Sequence, residues 1–381
     1  MSFRVAHGHC AGSYDCVYVS TDLEPDDAAA LKALAPLLRG VPLLVVVGEG
    51  ATRGKPQMAA SMLARYGIDE KATVVQGRAS TSEYPQAALA SYAPQPGSPP
   101  SRASVSPIEG SEAISEALTS FLLEHATPFA LLLKPPHELL HVSDHALRRT
   151  VAAAYGSFNF TELRSGIRLD SPDVTEEEAF ERQEKLLRSF KRCLWVERSI
   201  SVGSQATLDT SAESAAAWDH LQLDGSIVKL VCAWNERAVS KFALGLSDLG
   251  RQIVSAFETS GPAAFGEVER LSEKAEKKAG MISSISRHGG RQMPLADPLV
   301  AASLVDDNAC MERFECLCNP GHDDKGKPTF EMQPTSSVCA FVTTCTANRE
   351  QLYATAIKVL GRALSPEFAS RSYPPPVSSE T

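Results

Sequence analysis

The sequence predicts an α/β fold in a single domain, with a mostly parallel central sheet and helices on both of its faces. Apolar, β-branched segments of strand length alternate along the chain with longer segments of helical pattern, as a parallel sheet requires. The chain has 381 residues, and α/β enzymes of this length commonly form one compact body. No Gly-x-Gly-x-x-Gly or P-loop motif supports the binding of nucleotide phosphates.

The order of the elements follows from the apolar patterning. Strands are predicted at the short apolar segments 16–21, 42–48, 72–76, 129–134, 150–155 and 226–234. Helices are predicted at the longer segments 26–39, 54–66, 110–125, 211–221, 236–258, 297–305 and 347–363. Between them, the Pro- and Ser-rich residues 93–107 predict a loop without regular structure.

The same patterning divides the chain into a domain and its flanking segments. We expect an N-terminal extension over residues 1–14, an α/β domain over 15–365 and a disordered, Pro-rich tail over 366–381. The charged residues 164–200 are interpreted as a surface insertion, in which 176–192 forms an exposed helix.

The composition limits the classes of binding partner and the cellular compartment that we expect. A formal net charge of −9 leaves no basic footprint for nucleic acid or an anionic membrane. No apolar run approaches the length of a membrane span, and the N-terminus lacks the apolar core of a signal peptide. Nine cysteines without framework spacing indicate reduced thiols. We therefore expect a cytoplasmic protein with neither nucleic-acid nor membrane partners.

Residues 17–31 carry the strongest chemical signal. An apolar strand ends in three acids, Asp22, Asp26 and Asp27, and a helix of alanines and leucines follows at once. In open α/β sheets, ligands bind at the carboxyl ends of the strands. Three neighbouring carboxylates repel one another, and a hard divalent cation with oxygen ligands would relieve this repulsion. The alternative is helix capping by Asp26 and Asp27, although Asp22 comes too early to cap the helix.

A second acid stands near the other end of the chain. Asp297 precedes Pro298 at the start of the apolar helix predicted over 297–305. Aspartate before a first-turn proline is an ordinary helix start, so the segment alone permits either a capping or a functional role.

Together the two segments resemble the signatures of the inosine-uridine-preferring nucleoside hydrolase family. Thr-Asp-Leu-Glu-Pro-Asp-Asp-Ala matches its N-terminal motif, and Ala-Asp-Pro-Leu-Val-Ala-Ala matches its C-terminal helix start. Segments 45–49, 129–139, 155–159 and 338–360 follow in the order that the family shows. The resemblance covers most of residues 15–365, and it is specific at the two acidic motifs.

The resemblance implies a calcium-dependent N-ribohydrolase that cleaves a ribonucleoside to ribose and free base, and it implies a homo-oligomer. In this family pattern Asp22 is both a metal ligand and the general base, and Asp27 and Asp297 are metal ligands. A main-chain carbonyl near Leu133 or Lys134 completes the calcium cage.

The resemblance assigns the contacts with the substrate to other residues. Asp26 would accept a hydrogen bond from a ribose hydroxyl, and Glu49 and Asn159 match positions that face the substrate. A strand-end turn cap is the alternative role for Asn159.

The sequence also departs from the family at positions that matter for chemistry. Ser20 replaces the first acid of the motif, Lys134 stands in the turn beside the cage, and Ala296 replaces the histidine that serves the leaving base. His288, on a Gly-rich loop before the metal helix, is the candidate to protonate the base instead, and an exposed surface histidine is the alternative. A metal- and ribose-binding protein without efficient catalysis is therefore the second functional hypothesis. A phosphatase-type enzyme is the third, but Ser20 occupies the position of its nucleophilic aspartate.

Overall fold

The computed structural model describes residues 1–344 with internal gaps. Outside the description lie residues 6–9, 49–53, 78–84, 95–99, 109, 135, 157, 160–161, 164–185, 187–188, 198–206, 210–224, 288–291, 295, 306–311, 323–327, 335–339 and 345–381. The predicted helices at 211–221 and 347–363 and the predicted tail fall among these residues.

The described strands and helices alternate for most of the chain. The strands are β1 Phe3–Val5, β2 Gly12–Tyr14, β3 Cys16–Thr21, β4 Leu43–Val47, β5 Ala72–Gln76, β6 Ser104–Ser106, β7 Pro128–Leu132, β8 Val151–Gly156, β9 Phe158–Asn159, β10 Glu162–Leu163, β11 Arg192–Glu197, β12 Thr207–Asp209, β13 Gln292–Pro294, β14 Glu312–His322, β15 Pro328–Pro334 and β16 Ala340–Thr344. The α-helices are α1 Pro25–Leu38, α2 Lys55–Tyr66, α3 Gln86–Ser91, α4 Ser111–Glu124, α5 Asp144–Leu147, α6 Gly225–Ser260, α7 Phe265–Arg287 and α8 Ala296–Val305. Two short 3-10 helices, His137–His141 and Gly261–Ala264, complete the set.

Ten of the described strands form one central sheet, in the order β15-β14-β16-β11-β8-β7-β3-β4-β5-β6. Every pairing from β16 to β6 is parallel, and β14 pairs antiparallel with both β15 and β16. The predicted fold class, a mostly parallel sheet with helices on both faces, is confirmed.

The order of the strands creates a switch point between β3 and β7. After β3 the chain builds outward through β4, β5 and β6, and it then returns to place β7 on the other side of β3. In open α/β sheets, the crevice at the carboxyl ends of the strands on either side of such a reversal is where ligands bind.

Alternation along the strands separates two apolar cores, one on each face of the sheet. Val17 and Val19 of β3 point into the core beneath α1 and α8. Tyr18, between them, points into the core beneath α4. Because successive side chains of a strand face opposite ways, the residues that end β3 divide in the same manner, with Ser20 on the α4 face and Thr21 on the α1 face.

The first residues of the chain belong to the main core instead of forming an extension. Strands β1 and β2 form an antiparallel hairpin. Phe3 and Tyr14 from this hairpin pack on Phe129 of β7, with ring centroids 5.0 and 4.8 Å away. Burial of these large rings fixes the hairpin to the sheet.

The prediction of a strand at 226–234 was wrong, because this segment is the first part of the helix α6. Its apolar residues read as a strand by their β-branched content. However, Ile227, Leu230 and Val231 recur at helical spacing, and all three are buried in the core beneath α1. A short apolar run in a sequence is compatible with either a strand or a helix. Here the tertiary contacts decide between the two.

Two segments predicted to lie outside the sheet contribute strands to it. Arg192–Glu197, placed in the surface insertion, forms β11 between β8 and β16, and Phe190 just before it is buried. Ser104–Ser106, placed in the Pro/Ser loop, forms the short edge strand β6. These strands have only six and three residues, and charged residues and prolines flank them. The apolar patterning of the sequence therefore did not predict them.

Candidate functional site

Acidic side chains from the two ends of the chain meet at the switch point. Asp26 and Asp27 lie in the first turn of α1, directly after β3. Asp297 lies in the first turn of α8, which packs alongside α1. Carboxylate oxygens of these three residues lie within 4.8 Å of one another. We call Asp26, Asp27 and Asp297 the acidic cluster.

Helix capping accounts for part of the cluster. Thr21 Oγ1 donates to Asp27 Oδ1 at 2.5 Å, and the main-chain N–H of Glu24 donates to Asp27 Oδ2 at 3.1 Å. Glu24 and Asp27 thereby form a capping box at the start of α1. The capping interpretation therefore holds for Asp27, whose carboxylate is fixed in place by these bonds.

Capping does not account for the other two acids. Asp26 Oδ1 and Asp297 Oδ1 are buried, and neither has a hydrogen-bond partner among the described residues. A buried carboxylate oxygen without a partner is unfavourable, because it has lost its water and gained nothing in return. Two such oxygens suit a bound group that supplies their missing partners, either a cation that accepts oxygen ligands or the hydroxyl of a ligand beside it.

The electrostatics of the acidic cluster lead to the same inference. Burial, followed by the charge of Asp22, raises the pKa of Asp26 from 3.8 to about 7. Burial and the neighbouring carboxylates likewise raise the pKa values of Asp27 and Asp297 well above their usual range. The described structure thus confines several carboxylates in a space where their ionised forms repel one another.

Asp22 borders the cluster without belonging to its closest group. Its side chain is partly buried, and Oδ1 accepts a hydrogen bond from the N–H of Glu24 at 3.3 Å. Its charge acts on all three members of the cluster. The predicted set of side-chain ligands was Asp22, Asp27 and Asp297, whereas the closest group holds Asp26 in place of Asp22.

The turn that carries Asp22 is held in an unfavourable conformation. Leu23 has a φ of 60°, in the left-handed region that favours glycine. Its side chain is fully buried in the core beneath α1, and its N–H donates to Thr21 Oγ1 at 3.0 Å. Core packing and this hydrogen bond therefore fix the backbone between Asp22 and α1.

Lys134 turns its side chain away from the acidic cluster. Its ammonium forms a buried ion pair with Glu138, with Nζ at 3.1 and 3.0 Å from the two carboxylate oxygens. Glu138 was not among the predicted site residues, and the two residues do not lie on one helix, so their spacing in the sequence did not indicate this pairing. No described contact tests the predicted coordination by the main chain near Lys134.

The remaining predicted residues are only partly covered by the structure. Glu49 and His288 lie outside the described residues. Asn159 lies in β9, and Ala296 is the first residue of α8. The substrate and proton-donor roles of Glu49, Asn159 and His288 therefore stay predictions.

A second group of potential ligands, Asp15, Cys16 and His125, serves the fold. The carboxylate of Asp15 accepts hydrogen bonds from the N–H groups of Ala126 and Thr127 at 2.8 and 2.9 Å. Burial alone would raise the pKa of Asp15, but these bonds outweigh it and lower the pKa. Through these bonds, Asp15 joins the segment before β3 to the start of β7.

Comparison with known proteins supports the fold. No protein-family model and no curated protein sequence matches the chain. Among solved structures, an inosine-guanosine nucleoside hydrolase is similar, with a TM-score of 0.50 and 11% identity over 90% of this chain and 98% of that chain. An inosine-uridine preferring nucleoside hydrolase from Bacillus anthracis matches with a TM-score of 0.44 and 12% identity, over 91% of this chain and 99% of that one. The type III effector protein XopQ, complexed with adenosine diphosphate ribose, matches with a TM-score of 0.48 and 12% identity, over 92% and 94%.

The similarity to the inosine-guanosine nucleoside hydrolase and the sheet topology define the class of protein: an α/β protein with the nucleoside hydrolase fold. At 11% sequence identity, this structural similarity shows the fold and no particular activity. Among the described residues, no helix combines the length and the apolar character needed to cross a membrane.

Proposed function

We propose that this chain is a calcium-dependent N-ribohydrolase that releases the free base from a ribonucleoside. The observation that carries the proposal is the pair of buried, unpartnered carboxylate oxygens, Asp26 Oδ1 and Asp297 Oδ1, at the switch point of the sheet. The class of substrate follows from the resemblance of the sequence motifs to the nucleoside hydrolase family.

The donor set fits a hard cation. All side chains at the cluster offer carboxylate oxygens, which calcium prefers, and none offers sulfur or imidazole. Asp22, Asp27 and Asp297, together with a carbonyl near Lys134, would hold the ion. When bound, calcium would hold the ribose hydroxyls and lower the pKa of a water molecule.

The residues around the ion would divide the chemistry among them. Asp22, which is partly buried, would take a proton from the water as its oxygen bonds to the anomeric carbon. The N-glycosidic bond then breaks, its electron pair leaves with the base, and His288 would protonate that base. Asp26 Oδ1 would accept a hydrogen bond from a ribose hydroxyl, and Glu49 and Asn159 would contact the substrate.

A second candidate function rests on Ala296. This residue directly precedes Asp297 and offers no proton to a leaving base. A nucleoside-hydrolase-like protein that binds metal and ribose without efficient catalysis would have such a site. Its ligand would be the same class of small molecule.

The two candidates differ in their turnover of activated substrates. We expect the wild-type protein to release base or nitrophenol in calcium and not in chelator, and to cleave nitrophenyl riboside fastest, because nitrophenolate needs little protonation. Asp22→Asn should reduce turnover by about 10²–10⁴-fold through loss of the general base. Asp248→Asn, at an exposed residue of α6, is the matched control and should leave turnover unchanged. Calcium-dependent ribose binding without cleavage of any substrate would favour the second candidate.

A further inference from the structure

A buried ion pair lies at the same edge of the sheet as the acidic cluster, but on the opposite face. The side chains of Lys134 and Glu138 are only 1% and 4% exposed. Tyr18 and Ser20 point toward this pair from β3, whereas Thr21 points toward Asp27. The strand β3 thus separates a charge pair that is internally neutral from a cluster that is wholly acidic.

Glu138 joins several elements through one carboxylate. Its Oε1 accepts hydrogen bonds from Tyr18 Oη at 2.5 Å and from Ser20 Oγ at 2.8 Å. The same carboxylate pairs with Lys134, and the main-chain oxygen of Glu138 accepts a hydrogen bond from Ser115 of α4 at 2.7 Å. The carboxylate therefore fixes the position of Lys134 relative to the end of β3.

Lys134 belongs to the stretch of chain that passes the acidic cluster. The N–H of Leu133 donates to the main-chain oxygen of Ser20 at 2.9 Å, which places the end of β7 beside the end of β3. The far end of the Lys134 side chain then packs against Gly48, where an added Cβ would clash with Lys134 Cε. The ammonium end of Lys134 is thereby constrained by Gly48 and Glu138, and the hydrogen bond of Leu133 fixes the main chain one residue before it.

We infer that Glu138 is a positioning residue for the cation site: by holding Lys134, it fixes the main chain at the end of β7, where a carbonyl of Leu133 or Lys134 would serve the ion. This inference rests on the proposed function, which assigns a carbonyl near Lys134 to the ion. Removing groups that orient metal ligands typically lowers metal affinity by about 10–100-fold.

Fold stability alone is a poor explanation for the pair. Removing two charges from water is costly, and apolar residues of similar size often stabilise a core equally well or better. What an apolar pair lacks is a directed bond from the turn to β3. The hydroxyl of Ser20 also shows that position 20 lies within reach of the ion pair, since it is 2.8 Å from the Glu138 carboxylate.

The test removes the carboxylate at position 138 and then introduces one at position 20. Calcium affinity is measured by calorimetry on the full chain for wild type, Glu138→Gln and the double variant Ser20→Asp/Glu138→Gln. We expect Glu138→Gln to weaken calcium binding by about 10–100-fold. The double variant should restore most of that loss, because the carboxylate introduced at position 20 reaches Lys134. Tyr66→Phe, which removes the hydroxyl contact of 2.6 Å from α2 to Tyr92, is the control and should bind calcium as wild type does.

The outcomes separate this inference from the proposed function. Wild-type affinity in Glu138→Gln, or no recovery in the double variant, would overturn the inference while the proposed function stands. A wild-type protein that binds no calcium would overturn the proposed function itself. If Glu138→Gln does not fold, Lys134→Met/Glu138→Gln decides, because it removes both charges and leaves Tyr18 and Ser20 an acceptor. Weakened binding in that variant supports the inference, and unchanged binding refutes it.

Discussion

Replacing Asp26 by Asn should stabilise the metal-free protein. The substitution keeps the size of the side chain and removes one of the buried charges that repel one another. Burial and the charge of Asp22 raise the pKa of Asp26 from 3.8 to about 7 in the folded protein. Between these two values the folded state retains a proton that the unfolded state has released. The contribution of Asp26 to stability is therefore greatest at low pH and is lost as the pH rises toward about 7.

The pKa shift of Asp26 determines how much the substitution should change the free energy of unfolding. At about 1.4 kcal/mol per pKa unit, the raised pKa of Asp26 destabilises the metal-free fold by about 4 kcal/mol at about pH 8, where Asp26 is ionised in both states, and by about 2 kcal/mol at about pH 5, where the folded state holds a proton that the unfolded state has released. Asp26→Asn should remove this penalty, so the gain in the free energy of unfolding should roughly double between the two pH values. Saturating calcium should stabilise wild type more than the variant, since the substitution has already relieved part of the repulsion.

Urea unfolding at both pH values, with chelator and with calcium, measures all of these quantities. Asp248→Asn, at an exposed site, serves as the control for removal of one negative charge, and it should change the unfolding free energy little at either pH. A metal-free Asp26→Asn protein no more stable than wild type at about pH 8 would refute the electrostatic account of the cluster.

Three further substitutions test other parts of the structure. Leu23→Gly should lower the free energy of unfolding by about 2–4 kcal/mol in urea, because the lost burial exceeds the relief of the positive φ; a more stable variant would contradict this. Asp15→Ala should lower stability by about 1–3 kcal/mol through loss of an acceptor for two main-chain N–H groups, yet leave calcium affinity unchanged; weaker calcium binding would make Asp15 part of the metal site. Tyr18→Phe removes a hydrogen bond to the buried Glu138 carboxylate and should lower stability by about 1–3 kcal/mol, whereas an unchanged melting temperature would show that this bond contributes nothing.

The sequence was sufficient to predict the parallel sheet and the strand that precedes the acids. The apolar run of β3 and the alanine-rich start of α1 carry clear, local patterns, and both elements formed within one residue of their predicted bounds. The approach of Asp297 to Asp26 depends on the packing of α8 against α1. Local pattern does not encode that contact, so the pairing of the two ends came from the resemblance to a family.

Other features could not be predicted because they arise from tertiary contacts. The segment beginning at Gly225 is helical because Ile227, Leu230 and Val231 are buried together beneath α1, although its composition suits a strand. Glu138 reaches Ser20 across 118 positions of sequence, and nothing near either residue indicates this contact. A carboxylate from a distant segment thus lies beside Ser20.

The central claim is that acids from both ends of the chain hold one hard cation at the switch point of the sheet. Crystals grown with calcium and measured for anomalous scattering test this claim directly. We expect one ion bonded to oxygens of Asp27 and Asp297, at distances of about 2.3–2.6 Å. Crystals in saturating calcium with no ion between these residues, or with water bridging Asp26 and Asp297 in its place, would contradict the claim.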